Sequence, residues 1–163
     1  MAYYCIIRML KPEQIIEVGS GFSTLVAEEA ILKNGFGKIV LIEPFPMQFL
    51  KSLSTVDRIV EKFVQDIPIT KLVDLIEQGN IWFIDSTHTV KHGSDCLYMY
   101  LKAMPEIKKE MMIHSHDIFL PFSFSEIQLI DKNITWTEQH LLYAYLLDNP
   151  HAQVVFSSTY SHW

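Results

Sequence analysis

Short apolar runs alternate along this chain with longer stretches whose apolar residues recur every three to four positions. The runs predict buried β-strands at Gln14–Val18, Lys38–Glu43, Arg58–Val64, Ile81–His88, Met111–Ile118 and Ala152–Ser157. The longer stretches predict helices at Met1–Lys11, Ser23–Lys33, around Phe49–Leu53, Ile69–Gln78, within Lys91–Ala103 and at Thr137–Leu147. Pro12, Asn34-Gly35, Pro44, Pro46 and Gly79 fall where elements have to end. Strands that alternate with helices imply an α/β, doubly wound, mostly parallel sheet flanked by helices, with right-handed crossovers. The first helix is expected on the sheet edge or over a ligand pocket. Phe119–Phe124 is too irregular for an element and reads as an aromatic loop, either a lid or a surface segment.

Composition narrows this picture without changing it. At 163 residues and 49% hydrophobic, the chain has the length of one domain, residues 1–163, and enough apolar mass for a packed core. A formal net charge of −6 argues against a nucleic-acid partner. No apolar run is long enough to span a bilayer, and no signal peptide is visible, so no membrane partner and a cytoplasmic location are expected. Cys5 and Cys96 have neither metal nor redox spacing and fit free thiols in a reducing compartment. Ten Phe and seven Tyr are many for this size; most are expected in the core, the rest against a partner or a further segment.

The chemistry starts at Ile16-Glu17-Val18-Gly19-Ser20-Gly21-Phe22-Ser23-Thr24. It reads as strand, glycine turn and helix start, with Ser23 and Thr24 as candidate N-caps. Gly19 and Gly21 are expected to take backbone angles that other residues resist and to leave room for a ligand. A dinucleotide fingerprint needs a third glycine where Thr24 stands. Glu17 would repel a pyrophosphate but suits an ammonium. The pattern therefore favours S-adenosylmethionine (SAM) over NAD. Glu43 lies about 20 residues past the turn, where this fold places the acid that grips ribose hydroxyls. Asp66 either accepts the adenine amine or caps the next helix.

Glu17, Glu43, Asp66, Asp85 and Asp117 all fall at predicted carboxyl ends of strands, where such sheets bind ligands. If the fourth and fifth strands are neighbours, Asp85 and Asp117 end side by side and are candidates to share Mg²⁺. His88 and His116 are candidate bases for a substrate hydroxyl. His114 and His116 should share one sheet face and Asp117 the other, with His114 favoured as a core or crevice histidine holding a satisfied hydrogen bond. A His-x-His zinc site lacks a third ligand of convincing spacing.

The glycine-turn segment resembles motif I of class I SAM-dependent methyltransferases. Phe83-Ile84-Asp85-Ser86-Thr87-His88, then Val90-Lys91-His92-Gly93-Ser94-Asp95, then Ile113-His114-Ser115-His116-Asp117-Ile118-Phe119-Leu120-Pro121 is similar to the methyltransferase-24-like group. Thr137-Glu138-Gln139-His140-Leu141-Leu142 resembles its later helix. Thr87 and His92 depart from the group's usual Ser and Pro. The resemblance implies a Rossmann-like domain that binds SAM through Glu17, Gly19, Gly21, Glu43, Asp66 and Asp85. It implies methyl transfer to a small polar acceptor, with catalytic roles for Asp85, His88, His116 and Asp117 and Mg²⁺ at Asp85 and Asp117. Such domains commonly add N-terminal helices and a seventh strand, so a trimmed domain of a longer chain is expected, or a short, self-associating member. The competing reading is a non-catalytic SAM-binding module of a larger protein.

Overall fold

The computed structural model describes residues 2–162. Five parallel strands form one sheet: β1 (Gln14–Val18), β2 (Lys38–Ile42), β3 (Val56–Val60), β4 (Ile81–Ile84) and β5 (Met112–Ser115), in the order β3-β2-β1-β4-β5. Alternating side chains sort the apolar runs into two cores. Ile15, Ile39, Leu41, Ile81 and Phe83 face α1 (Ala2–Leu10) and α2 (Phe22–Asn34). Ile16, Val18, Val40, Ile42, Trp82 and Ile84 face α3 (Ile69–Ile76) and α4 (Asp95–Tyr98), which runs on through a wider turn at Met99–Ala103. Burial on both faces is why the central strands β1, β2 and β4 are almost wholly apolar past their first residues, with Glu17 the exception, whereas the edge strands β3 and β5 carry Asp57, Arg58, His114 and Ser115. α5 (Glu138–Leu146) packs Leu141, Leu142 and Tyr145 onto the second core.

Several expectations need correction. The first helix lies on a face of the sheet, with Tyr3 stacked 4.2 Å from Phe83, and not at an edge or over the pocket. The helix after the glycine turn starts at Phe22 with Gly21 as its N-cap, so neither Ser23 nor Thr24 is the N-cap residue; Thr24 Oγ1 instead accepts the Gly21 N–H at 3.2 Å from inside the first turn. Phe49–Leu53 supplies only a short tight turn, Gln48–Ser52. The third strand sits earlier than expected. The helix expected within Lys91–Ala103 is there, opened by Ser94, whose hydroxyl accepts the Leu97 N–H. Residues 152–157 do not form a strand. They pair with no sheet edge, and Val154, Val155 and Phe156 stay exposed. Apolar alternation alone cannot make a strand without a neighbour to bond. Among the described residues no helix is long and apolar enough to cross a membrane.

Candidate active site

The carboxyl ends of β1, β2, β4 and β5 converge because backbone pairing continues one residue past each of them, with Glu43 N–H donating to Val60 O at 3.1 Å past β2. Gly19 N–H donates to Ile42 O at 3.1 Å, Asp85 N–H to Val18 O at 2.9 Å and His116 N–H to Ile84 O at 2.9 Å. A cavity of about 510 Å³ opens there, walled by Gly19–Ser23, Val26, Glu43, Asp85 and His116.

Gly19 sits at φ +77°, and a Cβ there would lie 1.6 Å from the Asp85 carbonyl oxygen. The turn and the end of β4 therefore touch backbone to backbone. Gly21 differs from expectation: its φ of 175° is open to any residue, and a Cβ would meet nothing within 4 Å. Its contribution is empty space in the cavity wall. Glu43 accepts the Ser20 N–H at 3.2 Å and the Phe45 N–H at 2.9 Å, which aims its carboxylate across the turn.

Glu17 lies beneath the turn and not in the cavity wall. Period-two alternation puts it on the face covered by α2, where it is fully buried. One oxygen accepts hydrogen bonds from Ser23 Oγ (2.7 Å) and Thr24 Oγ1 (3.1 Å); Oε2 has no partner among the described residues. Burial raises its pKa to about 8, against the two hydrogen bonds and helped by the charge of Asp85. Asp66 is exposed at the end of the tight turn Val64–Asp66 after β3, outside the cavity wall.

Beyond β4 the chain enters a left-handed turn at His88, φ +55°, which folds the imidazole back among carboxylates. Nε2 lies 3.3 Å from Asp85 Oδ1 and 4.0 Å from Asp117 Oδ2; Nδ1 lies 2.7 Å from Glu138 Oε2. Burial opposes a charge on the ring, but hydrogen bonds to Asp85 and Glu138, and the charges of both, outweigh it and raise the pKa to about 9. His116 Nδ1 lies 3.6 Å from Asp85 Oδ1 and 3.3 Å from Asp117 Oδ1. Asp117 thus faces the same cluster as His116. β5 ends at Ser115, and Asp117 has φ +53°, so strand alternation no longer applies. His114 packs edge-on to Tyr3 at 5.0 Å and tilted against Phe83 at 4.8 Å; burial and the charge of His116 push its pKa down to about 4, and its Nδ1 has no hydrogen-bond partner among the described residues. Phe119 and Phe124 pack on each other at 5.0 Å, away from the cavity wall.

Sequence reasoning assigned no role to Glu138, Trp136, Tyr100 or Asp95. Glu138 is 1% exposed, and its second oxygen accepts the Tyr100 hydroxyl at 2.7 Å. Trp136 covers the His88 ring at 4.5 Å. Asp95 accepts from Thr87 N–H (3.0 Å) and Thr87 Oγ1 (2.6 Å), fixing the loop that carries His88. The available signal for Glu138 was a lone acid in the first turn of an otherwise core-facing helix.

The sequence profile of a methyltransferase domain, the methyltransferase-24 family, matches residues 16–118, and the chain belongs to that family. An uncharacterized protein of Archaeoglobus fulgidus is 42% identical over 53 residues, 31% of this chain. That match spans 24% of the archaeal protein, so the chain aligns with about a quarter of its relative's length. The fold is similar to the crystal structure of S-adenosylhomocysteine-bound methyltransferase PaMTH1 of Podospora anserina, with TM-score 0.58 and 18% identity over 91% of this chain and 68% of that one.

Proposed function

We propose that this domain methylates an oxygen of a small polar acceptor, using SAM, with a divalent cation held by Asp85, His88 and Asp117. The observation that carries the reading is one cavity walled by the glycine turn, Glu43, Asp85 and His116, with the Asp85–His88–Asp117 cluster at its edge.

The residues suit both groups. Gly21 leaves the main chain bare on the cavity side, Gly19 lets the turn close against the end of β4, and Glu43 has lone pairs left for a pair of ribose hydroxyls. Two atoms that share one cation at about 2.1 Å lie no more than about 4.2 Å apart. The two His88 Nε2 separations, 3.3 and 4.0 Å, meet that limit; the third separation, between the two aspartates, is bounded by 4.8 Å, so closing both carboxylates on one cation takes a small side-chain adjustment.

SAM supplies an electrophilic methyl group, and a bound cation supplies a Lewis acid that lowers the pKa of a coordinated hydroxyl. The chain's own residues do the rest. Glu43 and the turn fix the cofactor's position. Asp85 and Asp117 present negative oxygens to the acceptor end of the cavity. His116 lines the cavity and takes the acceptor's proton, whereas His88 is buried behind it. Two free thiols, one of them exposed, support a reducing cytoplasmic setting.

Calorimetric titration with S-adenosylhomocysteine, with and without divalent cation and with NAD as control, is the first test. Binding of the homocysteine compound but not NAD is expected; no binding by folded protein would sink the reading. Once an acceptor is found, Asp117→Ala is expected to lower kcat on the order of 100-fold while S-adenosylhomocysteine affinity stays within a few-fold. Unchanged turnover would remove Asp117 from the mechanism.

A further inference from the structure

The cation cluster contains more than the two aspartates that would suit Mg²⁺. Its third member is an imidazole whose far nitrogen is already engaged. His88 Nδ1 and Glu138 Oε2 are 2.7 Å apart, and a carboxylate has no hydrogen to give, so Nδ1–H donates. Glu138 is itself fixed: Oε1 accepts the Tyr100 hydroxyl at 2.7 Å, and that hydroxyl lies 2.8 Å from Ser115 Oγ on β5. The backbone of the same helix start clamps the loop. Thr137 and Glu138 N–H both donate to the His88 carbonyl, at 2.8 and 3.1 Å, and Thr137 Oγ1 accepts the Val90 N–H at 2.7 Å. Ring, carboxylate and loop thus form one locked unit with Nε2 turned toward Asp85 and Asp117.

We infer that Glu138 is a positioning residue that presents His88 Nε2 as a metal ligand, and that the site takes a divalent transition ion of the Mn²⁺, Co²⁺ or Zn²⁺ kind ahead of Mg²⁺. The inference rests on the cation reading above and specifies which ion it concerns. Two physical arguments carry it. A carboxylate on the remote nitrogen fixes the tautomer and makes the coordinating nitrogen more basic, which is how metal-binding histidines are usually held. A site of two carboxylates and one imidazole suits ions that accept nitrogen, whereas Mg²⁺ prefers oxygen ligands throughout.

The test uses the whole chain and metal ions alone. Zn²⁺ is titrated into ¹⁵N-histidine-labelled protein and followed by NMR. The expected result is that Zn²⁺ displaces the Nε2 proton that bridges to Asp85, releasing it to solvent, so that His88 keeps the proton on Nδ1 and carries the metal on Nε2. An unaltered His88 signal with Zn²⁺ bound would overturn the inference, and so would a metal on Nδ1. Competition between Co²⁺ and Mg²⁺, read by the visible absorption of Co²⁺, is expected to favour Co²⁺ by on the order of ten-fold or more. Glu138→Gln keeps the size of the side chain and an acceptor for Tyr100; it is expected to weaken Co²⁺ binding about 10- to 100-fold and to narrow the preference over Mg²⁺. A purely structural Glu138 would lower the melting temperature and leave that preference unmoved, which would overturn its positioning role. Folded protein that binds S-adenosylhomocysteine but no cation would overturn this inference and leave the cofactor reading standing. Cation binding through His88 without S-adenosylhomocysteine binding would support it and remove the cofactor reading instead.

Discussion

At Gly19 the left-handed backbone and the Asp85 carbonyl 1.6 Å from a built Cβ act together. Gly19→Ala is expected to cost more than about 2 kcal/mol, read as a fall in the denaturant midpoint, and to separate the turn from β4. Gly21→Ala, facing open space, should leave stability within about 0.5 kcal/mol and weaken S-adenosylhomocysteine binding by occupying the cavity. Equal stability losses at both positions would contradict this division. The motif marked both glycines but could not say which was needed for backbone and which for room. Glu17 was legible as an acid at a strand end, but neither its place beneath the turn, outside the cavity wall, nor its neutrality was, because both depend on α1 and α2 covering its face of the sheet. Its folded pKa, about 8, lies above the ordinary value of 4.5. The stabilising contribution of the neutral carboxyl is therefore complete below about pH 4.5 and is lost as pH rises through 8. Glu17→Gln removes that loss. Melts at several pH values should show the variant gaining on the wild type between pH 5 and 8; parallel curves would refute the buried, neutral carboxyl.

Among the elements, the central strands were legible because parallel strands buried on both faces are dominated by apolar residues. Their ends were less so. β4 and β5 both stop earlier than the apolar run suggests, at Ile84 and Ser115, and the residues beyond take left-handed turns at His88 and Asp117. Those turns, and not strand alternation, bring Asp117 and His88 together, so no periodicity could reveal the pairing. The loop after β4 is held from α4 by Asp95, which is 8% exposed and takes two hydrogen bonds from Thr87. Asp95→Ala is expected to cost about 1–3 kcal/mol and to release His88. Turnover and Co²⁺ affinity should fall together, with S-adenosylhomocysteine affinity nearly kept, since Glu43 and the glycine turn are elsewhere. A variant that kept full cation affinity would show that the loop holds itself.

Across the whole molecule the two cores meet at the sheet, and the chain beyond β5 adds mainly α5 to them. Residues 119–136 and 147–161 are largely exposed or half-buried, including Ile127, Ile130, Val155 and Tyr160. Amide exchange measured by mass spectrometry should accordingly be slowest in β1, β2 and β4 and fastest in those two segments. Uniform protection would mean that the C-terminal third is as cooperative as the sheet. The alternation of elements made the architecture readable to Ile118, but the later chain offers no sheet partner and its pattern misled at residues 152–157. The contact between Glu138 and His88 spans fifty residues of sequence. A ribosome releases the chain from its N-terminus, so all five strands can pair before α5 has emerged. The glycine turn and Glu43 can then close on a cofactor while His88 still lacks its anchor. On the proposed reading, the nascent domain would thus be able to hold a methyl donor before it can place a cation, and methyl transfer would begin only once α5 has docked.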